Sequence, residues 1–412
     1  MTLPRIAWRY LTARPLVTGL TLAGIALGVA LIAAVLTLRR ETERTFQREA
    51  GLFDLVVGAK GSPLQLTLSS VYHLDMPTGN VPWSLYEKLR ENRRIATAIP
   101  IGLGDNFRGF RIVGTEPHLF DLQHEGRAFF SFAQGAVFRD DFEVVLGSQV
   151  AASTGLQIGD TFAGTHGLVQ MPGSEEHGEF PYRVCGILAP TGTAQDRAIF
   201  GTLRSVWIIH DKEHKLHATI QGTASRAESS LEVTAVLIRL KARGLRLWVA
   251  DDIRNHTEGM PAIPVNEILR LYQNVLEPVQ KTLLAVAALV VVVSCFTVLV
   301  TLHQAVERRR RDLAILRCLG GRRWEVAALV MLEAVFLTLG GLSIGWLLAH
   351  GLLAAAAPLL RERTGLLIEP WSLDHTEITA LLVISAAGLL SGLVPALSSY
   401  RRTPAHDLGI TE

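Results

Sequence analysis

The stretch Glu307–Val326 reads ERRRRDLAILRCLGGRRWEV, and it lies between two long apolar runs. A plain connector needs only a few polar residues. This one carries seven arginines, a half-apolar middle and a glycine pair. Leu313, Leu316 and Leu319 recur at i, i+3 and i+6 with Ile315 beside them, which predicts a short amphipathic helix. Gly320 and Gly321 predict its end and a turn into the next apolar run. What this loop does depends on what flanks it.

The flanks are membrane-like. Of 412 residues, 49% are hydrophobic but only 7% aromatic, so the excess is Leu, Val and Ala, as in membrane helices. Charged residues make up 19%, and a net charge of +2 gives no reason to expect a nucleic-acid partner. Pro15 to Leu38 contains no charge, and those 24 residues make a helix of roughly 36 Å, enough for a ~30 Å hydrocarbon core with some tilt. The run exceeds a signal peptide's apolar region, so an uncleaved anchor is expected. Leu283–Leu302, Ala327–Ala349 and Ile378–Leu397 qualify as further spans, the second of them interrupted only by Glu333.

The expected layout is an amphipathic helix over 1–15, a first span over 16–38 and a large domain over 39–282 with stalk helices at both ends. A second span over 283–302, the basic loop over 303–325 and a third span over 326–350 follow. A short loop over 351–377, a fourth span over 378–397 and a tail over 398–412 complete the chain. Arg5, Arg9, Arg14, Arg401 and Arg402 join the arginines of the loop on one side, which predicts cytoplasmic termini by the positive-inside rule. The large domain then lies on the far side, and Cys185, Cys295 and Cys318 fall outside, within and inside the membrane, where no two can pair.

Between the stalks, FDLVVGAKG, GFRIVGTEP, FEVVLGSQVA, YRVCGILAP, SVWIIHD and LEVTAVLIRLKA read as short strands, while WSLYEKLREN and GSQVAASTGL read as helices. The fold class is a four-span α-helical membrane protein with an α+β domain inserted between spans one and two. No nucleophile or metalloprotease motif occurs, so catalysis is not expected. One cluster suggests metal: His210, His214 and His217 in HDKEHKLH would share a helical face able to hold zinc, or the segment is a solvated turn after a strand. Within the spans, Gly24 and Gly28, Gly341 and Gly345, and Gly388 and Gly392 repeat at four-residue spacing, which suits close helix packing. Glu333 is an intramembrane acid, costing about 2.5–3.5 kcal/mol at mid-membrane; near the cytoplasmic end it could snorkel or pair with an arginine of the basic loop.

The loop and third span together, with Glu307, Leu316, Arg317, Leu319, Gly320, Glu333, Gly340, Gly341 and Gly345 in place, resemble the FtsX-like permease module of ABC transporters. The ending GLVPALSSYRRTPAHDL is similar to that module's, with Arg401, Pro404 and Leu408 at the matching places. VVLGSQVAASTGLQIGDTF and YRVCGILAPTGTAQDRAIF look like the periplasmic core domain of MacB-like permeases, the MacB and LolC–LolE type. The resemblance implies a non-catalytic subunit in a bacterial inner membrane, paired with a second permease copy, as a homodimer or heterodimer, and with two copies of an ABC ATPase. ATP and magnesium would sit on that ATPase, consistent with the absence of any Gly-Lys dipeptide here. It also implies mechanotransmission: ATPase closure moves the periplasmic domain, which exports or extracts an amphiphilic drug, peptide, lipid or lipoprotein, with a periplasmic adaptor or lipoprotein as a further partner. The coupling helix would be this loop, with Glu307, Arg311, Leu313, Leu316, Arg317, Leu319 and Gly320. Two other readings stay open, a signal transducer that moves no cargo and a zinc-linked system using the histidine cluster.

Overall fold

Ile95–Phe107 is a 13-residue strand that serves two halves of one sheet. Its first half pairs antiparallel with Ala235–Leu240, its second with Phe110–Thr115, and the register shifts between Leu103 and Asn106. The computed structural model describes residues 2–124, 126–167, 179–209, 231–318, 320–364 and 369–401. They form two units: Thr42–Asn274 with Leu359–Leu367, and Met1–Glu41 with Val275–Pro358 and Ile368–Glu412.

The first of these units holds the sheet. From one edge the strands run Met260–Ala262, Leu55–Gly58, Ala235–Leu240, Ile95–Phe107, Phe110–Thr115, Ala198–Thr202, Glu143–Leu146, Tyr182–Leu188 and Phe132–Gly135. Ala198–Thr202 runs parallel to Phe110–Thr115, and Tyr182–Leu188 parallel to Glu143–Leu146. Leu52, Phe53, Val56, Ile99, Val113, Phe120, Phe138 and Phe200 build the largest core, where Phe120 meets four other phenylalanine rings. The unit is thus a mixed α and β domain.

Five of the six expected strand runs contain strands, and WSLYEKLREN and GSQVAASTGL contain the helices Trp83–Glu91 and Ser148–Thr154. The described part of SVWIIHD, residues 205–209, does not form a strand. Residues 203–209 are helical because Thr202 Oγ1 accepts the Ser205 N–H at the first turn, and Leu203, Val206 and Ile209 bury one face at helical spacing.

A buried polar chain ties the start of this unit together. Glu49, 1% exposed near the end of the Pro15–Ala50 helix, accepts the Ala194 N–H at 2.9 Å and the Gln195 side-chain amide at 3.3 Å. Gln195 in turn meets His73 Nε2 at 3.0 Å. Burial pushes the Glu49 carboxyl up to about 8 against these hydrogen bonds, and burial holds His73 down at about 4.

The second unit is helical. Among the described residues, four helices are long and apolar enough to cross a membrane: Pro15–Thr45, Pro264–Arg308, Arg323–Leu360 and His375–Arg401. All four run past the apolar stretches that announce them. A π-turn at Tyr272–Leu276 interrupts the second. It breaks the expected single apolar face there, burying Ile268 and Tyr272 but leaving Leu269, Val275 and Val279 exposed.

The glycines set how closely the spans approach. A Cβ on Gly24 would meet Ser294 at 3.1 Å, and one on Gly28 would meet Val291 at 2.8 Å. On Gly341 it would strike Ile25 at 2.6 Å, and on Gly345 the Ala26 carbonyl oxygen at 2.5 Å. On Gly388 it would strike Thr338 at 2.6 Å; Gly392 faces the Ala334 methyl. All three pairs pack spans of this one chain against each other.

Candidate coupling site

The basic loop folds as a nine-residue helix, Arg310–Cys318, straight after the Glu277–Arg308 helix. Its end follows from two glycines. Gly320 sits at φ 101°, a left-handed conformation that favours glycine, and its N–H reaches the Arg317 carbonyl at 3.2 Å. The Gly321 N–H reaches the Leu316 carbonyl at 3.0 Å, so the two bonds form a Schellman cap. Glu325 then accepts the Arg322 N–H at 2.8 Å and opens the third span, as a carboxylate at the third helical position does in a capping box.

The apolar residues of this helix do not form one outward ridge. Leu313 is buried against Ala7, Val306, Val326, Leu329, Val330 and Ala396, Leu316 packs half-buried against the same cluster, and Ala314 is also buried. Leu313 and Leu316, expected among the coupling residues, pack against the chain's own first helix and third span. Arg311, Asp312, Ile315 and Cys318 remain exposed, and Arg317 is half-buried. Glu307 lies 4.0 Å from His303 one turn earlier. Leu319 falls outside the described residues, as do Arg402, Pro404 and Leu408 of the ending.

Arg309, the residue between the two helices, anchors the loop. Its Nη1 donates to Glu333 Oε1 at 2.8 Å, its Nη2 to the Tyr10 carbonyl at 3.4 Å, and its guanidinium stacks 3.8 Å above the Tyr10 ring. Glu333 is 4% exposed, and the arginine supplies the charge partner that makes its burial tolerable. The helix that provides Tyr10, Leu3–Thr12, buries Ala7 and Leu11 and exposes Arg5 and Arg9. Burial lowers the Arg14 pKa, helped by the nearby charges of Arg309 and Arg308. Sequence reasoning missed Arg309 among seven arginines, because only its position between two helix ends distinguishes it.

The zinc reading rests on His210, His214 and His217, which lie outside the described residues. Among the described residues no group of three or more His, Cys, Asp or Glu could hold a metal ion. The three cysteines are free thiols.

Residues 284–404 match the family model described as FtsX-like permease C-terminal, and residues 18–243, more than half of the chain, match MacB-like periplasmic core domain. The chain belongs to the MacB/FtsX-type ABC permease family. Its relatives include an uncharacterized ABC transporter permease protein of Mycobacterium tuberculosis, 26% identical across 98% of this chain and 44% of that protein. Another is a macrolide export ATP-binding/permease protein MacB of Nitrobacter winogradskyi, 23% identical across 98% of this chain and 59% of that protein. This permease therefore spans less than two thirds of either relative's length. A solved structure that the chain also matches is the crystal structure of the periplasmic region of MacB from Actinobacillus actinomycetemcomitans. That match has 11% identity and a TM-score of 0.32, covering 56% of this chain and 98% of that one.

Proposed function

We propose that this permease couples ATP hydrolysis on a separate ATPase subunit to movement of its inserted domain, and so exports or extracts an amphiphilic substrate. The observation that carries the reading is the exposed Arg311–Ile315 face of a helix whose other side is locked to the bundle by Leu313 and, through the neighbouring Arg309, to Glu333. A push on such a face passes to span three and to the N-terminal helix instead of dissipating in a loose loop. The setting we infer is a bacterial inner membrane, with the basic loop in the cytoplasm and the large domain in the periplasm. Two permease copies with two ATPase subunits complete the assembly; a drug, peptide, lipid or lipoprotein is the cargo class.

The test is to purify the permease with its ATPase subunit, reconstitute both in lipid, and measure ATP turnover. Turnover raised by a lipoprotein or hydrophobic drug supports transport. Turnover raised only by a periplasmic hydrolase contradicts it and supports signalling without cargo. An ATPase that neither co-purifies nor responds contradicts coupling itself.

A further inference from the structure

At the end of span three away from the basic loop sits a second buried ionisable pair, one that the coupling account leaves unused. His350 is fully buried and Glu377 is 2% exposed. His350 Nε2 lies 2.7 Å from Glu377 Oε1, and His350 Nδ1 contacts the Pro370 carbonyl oxygen. The Trp346 indole N–H donates to the same Glu377 oxygen at 3.0 Å. Trp346 and His350 are one turn apart on the Arg323–Thr364 helix, while Glu377 is in the first turn of the His375–Arg401 helix, where the dipole favours an anion.

This geometry fixes a proton. A carbonyl oxygen only accepts, so Nδ1 must carry hydrogen. In neutral imidazole Nε2 is then a bare lone pair, and a lone pair cannot face an ionised carboxylate at hydrogen-bond distance. The pair as built therefore holds one more proton than neutral histidine plus carboxylate. With the indole also donating to Oε1, that proton belongs on Nε2. Glu377 Oε2 is buried without a hydrogen-bond partner among the described residues, so the carboxylate depends on His350 and Trp346 alone.

The same turn is held from its other side. Two residues beyond Pro370, the Ser372 carbonyl accepts from Arg40 Nη1 at 2.8 Å and the Ser372 hydroxyl from Arg40 Nη2 at 2.5 Å. Arg40 also pairs with Glu41 at 2.9 Å. Trp371 stacks over His350, with centroids 6.0 Å apart and planes 22° apart. The segment 370–372 thus clasps spans one and three at one end and leads directly into span four.

We propose that His350 and Glu377 form a proton-binding dyad that keeps this clasp shut, and that losing the proton opens it. The charged and titratable groups around the dyad are Arg40 and Glu41 from the first span's helix, Glu369 and Asp374 from the turn, and His375 from span four. Arg40 faces Asp374 and Glu41 and is committed to Ser372, and among the described residues His350 is the cation paired with Glu377. When the proton leaves, Nε2 and the carboxylate repel, the ring turns away from Glu377 and carries its Nδ1–H off the Pro370 carbonyl, and only the Arg40 contacts retain the turn.

Two readouts on the full-length permease in lipid nanodiscs test this. Protonated imidazole quenches nearby indole, so tryptophan emission of the wild type should rise across the pH range in which the dyad loses its proton, and this step should vanish in His350→Gln. Hydrogen-exchange protection of the 369–374 segment, corrected for intrinsic rates, should fall about tenfold or more over the same range. In Glu377→Gln the amide can donate to a bare Nε2, so protection should stay high and independent of pH. Identical emission titrations in wild type and His350→Gln would overturn the dyad. Unchanged wild-type protection, or an equal fall in Glu377→Gln, would overturn the clasp.

Discussion

Arg309 and Glu333 join the basic loop to the third span by a hydrogen-bonded ion pair of 2.8 Å, buried to 12% and 6% side-chain exposure. Through the same guanidinium the N-terminal helix is held by the Tyr10 ring and carbonyl. Three elements far apart in sequence therefore meet at one cation.

Breaking that pair on one side should be expensive. Arg309→Met leaves Glu333 buried and uncompensated, an expected loss of roughly 3–5 kcal/mol. Arg309→Met with Glu333→Leu removes both charges and should recover most of it. Thermal unfolding of the two variants in detergent checks this; a double variant as unstable as the single one would show that the pair is not the anchor.

Helix contact in the membrane unit should be sensitive at Gly345. An alanine methyl there meets the Ala26 carbonyl oxygen at 2.5 Å and Val29 Cβ at 2.8 Å, so Gly345→Ala should cost about 1–3 kcal/mol. Gly351, on the same helix, has nothing within 4 Å of an added Cβ. Gly351→Ala should change stability by less than about 0.5 kcal/mol. Equal melting shifts for the two would contradict the packing described.

The large domain should lose stability as pH rises through the range of Glu49. Burial raises this carboxyl to about 8, while the unfolded chain ionises near 4.5. Its contribution is complete below about 4.5 and is lost progressively as pH climbs through about 8. Glu49→Gln should remove roughly 2–4 kcal/mol of that penalty at neutral pH and flatten the alkaline slope. His73 works in the opposite sense: lowered to about 4 by burial, it keeps its contribution above 6.5 and loses it as pH falls through about 4. Melting temperature against pH for wild type and Glu49→Gln is the measurement; parallel curves would refute the assignment.

Four spans, the inserted domain and most of its strands were legible because each carries a local signal, an unbroken apolar run or a β-like run closed by Gly or Pro. The central Ile95–Phe107 strand carries no such signal. Pro100, Gly102 and Gly104 interrupt it, and a proline argues against a central strand. Its neighbours override that preference: Pro100 sits in register with Val236, and its carbonyl accepts from Thr115 Oγ1 at 3.0 Å. The loop helix shows a different limit. Periodicity placed Leu313, Leu316 and Ile315 on a helix but could not say which side the bundle would cover. His350 and Glu377 stayed hidden because they stand 27 residues apart at the edges of two apolar runs, where single polar residues are ordinary.

Coupling through the exposed face of the loop is the central claim, and one substitution tests it most directly. Ile315 is 44% exposed, whereas Leu313, two residues earlier, is buried at 9%. Wild type and Ile315→Asp, each reconstituted with the partner ATPase, should be compared for insertion, melting temperature and substrate-stimulated ATP turnover. The account predicts normal insertion and melting with stimulation lost in Ile315→Asp, while Leu313→Asp destabilises the bundle itself. Full stimulation in Ile315→Asp would contradict it.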